Sequence, residues 1–351
     1  MTAVAIPDSN IGCHEAAPTY QQMDAPHSGG GLRLGVISNP LSGSNRYRLG
    51  AIRRFLADYR EIPHCLVSNG EDVSATLERF ARENINLVVV NAGDGTVQAV
   101  LNTLFRNHPY TTHPLLALLP GGTTNMTALD LGIRGPRRRA LECLIRYTRE
   151  GHGKLDIQCR PILRVGRPVA PSPIYGLFLG AASIFHGIQL FHTHLRGMGL
   201  KGNPANMFIV TRLMAAFATR NFEALGATRA TIRLAQRSLP AERYILIVAH
   251  TLERLILGLR PHWGDEAGPL RLTAISATPR HFYKSFFHLL CGRYSRHLTP
   301  QNGYFSHNAD EIQLKLDGGF AIDGETYLAD ADQGELRIDV GGQAAFVRLP
   351  I

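Results

Sequence analysis

At Gly93-Asp94-Gly95-Thr96 two glycines enclose a single carboxylate, directly after the apolar run Leu87-Val88-Val89-Val90. Glycines permit backbone angles that a Cβ forbids, and they let backbone N–H groups come close to a polyanion. Downstream, Val97, Val100, Leu101, Leu104 and Phe105 recur at helical spacing. Strand, glycine turn and helix in this order put the turn at a helix N-terminus, where the dipole and the unpaired N–H groups favour phosphate. For this stretch alone, an ordinary βα turn built from Gly and Asp is the plain alternative. A second acidic motif, Asp323-Gly324-Glu325, stands far along the chain in a β-rich segment. A glycine between two carboxylates there predicts a tight turn that presents both side chains.

Two further stretches repeat the first arrangement. Leu115–Leu119 runs into Pro120-Gly121-Gly122-Thr123-Thr124-Asn125, and Leu34–Ile37 into Ser38-Asn39-Pro40-Leu41-Ser42-Gly43. In a parallel sheet the carboxyl ends of neighbouring strands face one crevice, so three loops rich in Gly, hydroxyl and amide groups are expected to converge on one ligand.

The elements that must hold these loops follow from periodicity. Leu32–Asn39 reads as a first strand, and Leu49, Ile52, Phe55, Leu56 and Tyr59 mark a helix interrupted before Pro63. His64–Ser68 reads as a short second strand, and 72–82 as a helix capped by Asp72 or Ser74. Strands alternating with helices at this spacing predict a doubly wound parallel sheet over residues 32–153. From Lys154 the texture changes to β-rich segments separated by Gly and Pro, which predicts a mostly antiparallel domain over 154–351. Residues 1–31 show no periodicity and read as a flexible tail.

Three segments leave two readings open. The basic run Arg134-Gly135-Pro136-Arg137-Arg138-Arg139 is either a solvated helix start or a contact for anionic lipid headgroups. The stripe Met207, Phe208, Val210, Leu213, Met214 and Phe217 on a helix over 204–220 is either core or an acyl-chain surface. A helix over 281–291 is rich in aromatic residues. His192 and His194 have no carboxylate beside them and read as surface or cleft polar residues, not a metal pair.

Composition bounds the function. The chain of 351 residues with 44% hydrophobic content suits a soluble protein of two domains. Its formal charge of +9 suits an acidic partner without choosing among nucleotide, nucleic acid and anionic membrane. Five scattered cysteines indicate neither a disulfide framework nor a zinc site and fit a reducing cytoplasm. No apolar run approaches the ~18 residues that span a bilayer, and Asp8 and Glu15 stand where a signal peptide would need a basic start and an apolar core.

Taken in order, Asn39-Pro40-Leu41-Ser42-Gly43, Gly93-Asp94-Gly95-Thr96, Pro120-Gly121-Gly122-Thr123-Thr124-Asn125 and Asp323-Gly324-Glu325 resemble the four signatures of the diacylglycerol kinase catalytic family, which includes bacterial lipid kinases, sphingosine kinases and ceramide kinases. The resemblance runs from about Leu32 to the end. It implies an α/β nucleotide-binding domain like those of NAD kinases and diacylglycerol kinases, followed by an antiparallel β-sandwich. It also implies ATP and Mg2+ as cofactors and a diacylglycerol-like lipid as acceptor, met at a membrane surface. Asn39, Ser42, Gly43, Gly93, Asp94, Gly95, Thr96, Gly122, Thr123 and Asn125 would then hold the nucleotide, and Ser68 would match a nucleotide-contacting Thr after the second strand. Asp94 would hold Mg2+ near the phosphates or assist the acceptor, with capping of its own helix as the structural alternative. Glu325 would accept the proton of the lipid hydroxyl and Asp323 would support it or organise metal, with transfer in a cleft between the domains. The same resemblance implies a cytoplasmic protein of phospholipid metabolism, peripheral on the inner membrane face and compatible with a homodimer, with no nucleic-acid partner.

The chain departs from the family pattern at Ala92, where a glycine is usual, and at Met126, where an Asp is usual. A third departure is Glu266-Ala267-Gly268-Pro269-Leu270, where some bacterial members show Asp-Asp-Gly-x-Leu. The first two keep a nucleotide- or lipid-binding regulator without catalysis among the readings, and the third gives no ground to assume a structural metal. Another lipid acceptor, sphingoid or glycerophospholipid, or a soluble one such as NAD stays open, the sphingoid one less favoured because Gly180–Phe185 holds no carboxylate about where the resembling sphingosine kinases carry one.

Overall fold

The computed structural model describes residues 23–24, 31–151, 155–190, 226–235, 237–291 and 295–349. The helix expected over 204–220 and the pair His192/His194 lie outside the described residues, as does most of 1–31. From that first segment Met23–Asp24 (β1) pairs antiparallel with Ile157 and Asp156. Two units divide the chain. The first comprises Met1–Gly122, Thr127–Arg160 and Gln343–Ile351, and the second Thr123–Met126 and Pro161–Gly342.

Four parallel strands build the first unit: β2 (Leu34–Ser38), β3 (His64–Leu66), β4 (Leu87–Ala92) and β5 (Leu115–Pro120), in the order β3-β2-β4-β5. β2 and β4 are buried along their whole length, as unbroken apolar runs must be when helices cover both faces. On one face α1 (Asn45–Ala57) and α5 (Arg137–Glu150) bring Leu49, Ile52, Phe55, Leu141 and Leu144 against Leu34, Val36, Leu87, Val89, Ala117 and Leu119. The other face takes α2 (Gly70–Arg82), whose Phe80 lies so near β2 that a Cβ on Gly35 would meet its ring at 2.7 Å. Beside α2 runs α3 (Asp94–Asn102), which continues into a π-helical turn at Thr103–Asn107.

The cap of α2 differs from the expectation. Asn69, not Asp72 or Ser74, is the N-cap, and its side chain accepts the Asp72 N–H at 2.8 Å. Asp72 in turn accepts the Ser68 N–H at 2.7 Å. Two donors at the helix start are thereby satisfied by neighbouring side chains, an arrangement open to Asn followed three residues later by an acid.

Antiparallel strands in two sheets make up the second unit. One sheet orders β13 (Tyr304–Ala309), β12 (Leu270–Ser276), β11 (Arg243–His250), β8 (Phe178–Ala182), β15 (Gly318–Ile322) and β16 (Glu325–Ala329). In the other, β14 (Glu311–Leu316) lies between β9 (Thr228–Leu234) and β17 (Leu336–Arg348). β6 (Asp156–Gly166) pairs with β7 (Ile174–Gly176), and the two-residue β10 (Arg237–Ser238) with β9. Inward residues of both sheets share one core that includes Leu179, Ile232, Tyr244, Ile247, Leu272, Phe305, Leu314, Phe320 and Ile338. β9 shows why: Thr228, Ala230, Ile232 and Leu234 are buried while Arg229, Thr231 and Arg233 alternate outward. Two helices, α6 (Ser183–Leu190) and α7 (Phe282–Cys291), are described beside these strands, the second over the aromatic-rich segment.

Candidate active site

The parallel sheet has its switch point between β2 and β4, because β3 lies outside β2 while the chain returns to place β4 on the other side. Ligands of such sheets bind beyond the carboxyl ends of the strands at this point. All three glycine-bearing loops reach it. Asn39 N–H donates to Asn91 O, and the Asn39 amide donates to Thr96 Oγ1 at 3.0 Å, joining the loop after β2 to the start of α3. The same amide oxygen accepts the Leu41 N–H at 2.8 Å, which closes the turn on itself. Ser42 Oγ accepts the Gly93 N–H at 3.2 Å. Gly121 N–H donates to Ala92 O, and its own carbonyl accepts the N–H groups of Ser44 and Asn45 and the Ser44 hydroxyl.

Close approach explains two of the glycines. A Cβ on Gly121 would stand 2.8 Å from Ala92 N and 2.9 Å from Asn45 Nδ2, and one on Gly93 would stand 3.1 Å from Gly122 Cα. The loops therefore lie against each other backbone to backbone, which no side chain at Gly121 allows. Gly43 lies in the loop after β2 and Gly95 in the first turn of α3, both half-buried. Thr123 and Asn125 continue the third loop, where Asn125 takes a positive φ of 51° that an amide residue tolerates. Ser68 is exposed just beyond β3, its N–H committed to Asp72.

Asp94 is the first residue of α3, and Gly93 is the N-cap. The Asp94 carboxylate reaches beyond its own helix. Its Oδ1 accepts the Thr127 N–H at 2.9 Å, in the first turn of α4 (Met126–Leu131). This ties the carboxylate to the end of the third loop, half-buried beside the other loops.

In the second unit Asp323-Gly324 is a two-residue hairpin turn closed by the pair Ile322–Glu325, with φ of 47° and 95°. Both central residues left-handed is the geometry of the turn that matches strand twist, and Asp-Gly suits it. The two carboxylates have opposite fates. Asp323 is 2% exposed, and its oxygens accept the N–H groups of Leu177 at 2.9 Å and Phe178 at 3.0 Å. A Cβ on Gly176 would stand 2.5 Å from Asp323 Oδ2, so a glycine precedes Leu177. Glu325 opens β16 and is exposed. The turn presents Glu325 and turns Asp323 inward, a division that the sequence pattern did not reveal.

The donor set fits a polyphosphate. The Ser42 and Thr96 hydroxyls each accept one bond inside the loops, which leaves each its own proton to donate. Among the described residues no cluster of three or more His, Cys, Asp or Glu could hold a metal. Mg2+ needs none, since it commonly takes one or two carboxylates and completes its shell with water and substrate phosphate. Among the described residues no helix is long and apolar enough to cross a membrane.

The unit is a doubly wound parallel one whose strand-end loops meet at the switch point, the place where sheets of this kind take their ligands. Residues 33–155 match the family model of the diacylglycerol kinase catalytic domain. A diacylglycerol kinase of Bacillus subtilis is 33% identical over 114 residues, which cover 31% of this chain and 36% of that protein. The match thus spans about a third of the curated relative. Two solved structures from Bacillus anthracis share the fold across 91% of this chain and 97% of theirs. They are a putative diacylglycerol kinase at 17% identity with a TM-score of 0.59, and a diacylglycerol kinase at 16% with 0.57.

Proposed function

We propose that the protein is a lipid kinase that transfers the γ-phosphoryl group of ATP to a hydroxyl of a diacylglycerol-like lipid. What carries the reading is the convergence of the three strand-end loops at the switch point of a sheet that lies within the matched kinase domain. Phosphoryl transfer asks mainly for positioning and charge neutralisation, and these loops offer backbone N–H groups, amides and hydroxyls for the first. Asn39, Ser42, Gly43, Gly93, Gly95, Thr96, Gly122, Thr123 and Asn125 would line the triphosphate, with Ser68 at its margin. Asp94 is the carboxylate for Mg2+, whose chemistry when bound is to neutralise charge that develops on the phosphoryl oxygens. Glu325 accepts the proton of the lipid hydroxyl as that oxygen attacks, and Asp323 supports it by fixing the turn. The reading requires both motifs to act on one substrate.

The protein would visit the inner membrane face from the cytoplasm to reach its acceptor. Incubation with γ-labelled ATP, Mg2+ and vesicles of a total lipid extract tests the proposal, with the lipid product identified by mass spectrometry. Label in the organic phase is expected. ATP binding without labelled lipid would replace the kinase by a nucleotide-binding regulator, and label on added NAD would replace the lipid by a soluble acceptor.

A further inference from the structure

We infer that Arg137 is a positioning residue of the phosphate loops, acting through the buried side-chain amides of Asn45 and Asn91; the inference rests on the nucleotide-binding reading above. Asn91 is 0% and Asn45 2% exposed. One guanidinium nitrogen of Arg137 donates to the side-chain oxygens of both, at 3.0 Å to Asn91. The amide nitrogen of Asn45 donates to Asn39 O at 2.9 Å and Asn91 O at 2.7 Å, and that of Asn91 to Ser38 Oγ at 3.1 Å.

An Asn side chain has nearly the same shape in either of its two amide orientations, so hydrogen bonding decides which end points where. With a cation donating from the α5 side, both oxygens must face α5 and both NH2 groups must face the strand ends. Remove the cation and two buried oxygens lose their donor, while a flipped Asn45 would aim its oxygen at the carbonyls of Asn39 and Asn91. The loop from Asn39 to Ser44 would lose the anchor that the Asn45 amide gives it at Asn39 O. That loop carries the Asn39 amide that binds Thr96 and the Ser42 hydroxyl that binds Gly93 N–H, so the disturbance passes to the glycine turn.

The placement of Arg137 runs against local preference. It opens α5 together with Arg138 and Arg139, with no acid in the first turn, against the helix dipole. Burial, with Arg48 adding to it, holds its pKa below the usual arginine value. Arg138 and Arg139 are exposed, and Arg138 pairs with Glu142 over the Phe55 ring. Of the three, only Arg137 makes contacts beneath the loops. A locally unfavourable charge kept in one place is the mark of a residue held there by its site.

Calorimetric titration with Mg-ATP, thermal melting and hydrogen exchange of residues 39–45 in the free protein test this on Arg137→Gln, Arg137→Lys and Arg138→Gln. Arg137→Gln should weaken ATP binding about tenfold or more, the loss expected when a buried charged donor is removed, and should speed exchange of the loop. Arg137→Lys keeps a donor and should recover most of both, and Arg138→Gln should change neither. Unchanged loop exchange in Arg137→Gln overturns the inference whether or not ATP binds. Equal losses in Gln and Lys variants that track melting temperature would make Arg137 a structural residue alone. A wild-type protein that binds no ATP defeats the nucleotide reading instead, and loop exchange still decides the clamp.

Discussion

Replacing Asp323 by Asn exchanges one oxygen for an NH2 group, and the surroundings set the consequence. Leu177 N–H and Phe178 N–H arrive at separate oxygens of the carboxylate, at 2.9 and 3.0 Å, in a place 2% exposed. An amide accepts through one oxygen, so one of these donors must face another donor. A buried donor without an acceptor costs about 1–3 kcal/mol, which is the destabilisation expected of Asp323→Asn. Asp323→Ala strands both donors and puts alanine at φ 47°, for about 2–5 kcal/mol in all. Urea unfolding of each variant reads this as a lowered midpoint at unchanged slope. Phosphotransfer measured in the folded range should persist at a reduced rate in Asp323→Asn. A variant that unfolds at the wild-type midpoint and yet transfers nothing would show that Asp323 reacts, and the positioning argument would fall.

Glu325→Gln should do the reverse: because the side chain is exposed, stability should stay within about 0.5 kcal/mol of wild type while transfer is lost. Near-normal turnover would remove Glu325 from the reaction. Asp94→Asn keeps an oxygen for the Thr127 N–H, so it should melt near the wild type and lose transfer, and raising Mg2+ should relieve part of the loss if the carboxylate holds that ion. Gly121→Ala puts a Cβ 2.8 Å from Ala92 N, and overpacking of this kind costs about 1–3 kcal/mol; denaturant unfolding together with ATP titration would show both the cost and a loosened site. Acid should destabilise the protein through two neutral histidines. Burial, with Arg53 adding, lowers the His64 pKa to about 4, and burial, with Arg271 adding, lowers that of His262 to about 4. Below the unfolded value of about 6.5 the unfolded chain takes up protons that the native one refuses, so stability is lost as pH falls toward 4. By pH 5 the ceiling is about 2 kcal/mol for each ring, less because neither is fully withdrawn from solvent. His64→Gln should flatten the fall between pH 7 and 5, and an unchanged slope would count against that assignment.

The parallel sheet was legible because its signals are local. Leu87–Val90 and Leu115–Leu119 are unbroken apolar runs followed closely by glycine, and each became a strand with a buried interior and its loop at the switch point. The antiparallel strands were readable where alternation is clean, as in β9 and β14. β13 was not, because Ser306, His307 and Asn308 interrupt the pattern to bind His262 and Glu266, partners some 40 residues away. Tyr175–Ala181 reads as one strand but breaks at Leu177, whose N–H turns to Asp323, 146 residues on. The acidic pair was legible as a turn and illegible as one inward and one outward carboxylate, since that choice depends on β8 and not on the motif. Arg137 hid among neighbours of its own kind. Only the amides of Asn45 and Asn91, 92 and 46 residues earlier, set it apart from Arg138.

The strand that ends at Arg348 lays Phe346 beside Leu116 of β5 and puts Val347 into the first unit's interior. A ribosome therefore releases the first sheet long before it can supply that sheet's last neighbour. Until then β5 offers an unmatched backbone edge to any passing chain. A fragment cut at residue 155 would keep that defect permanently, and its solubility would be a poor guide to that of the whole polypeptide.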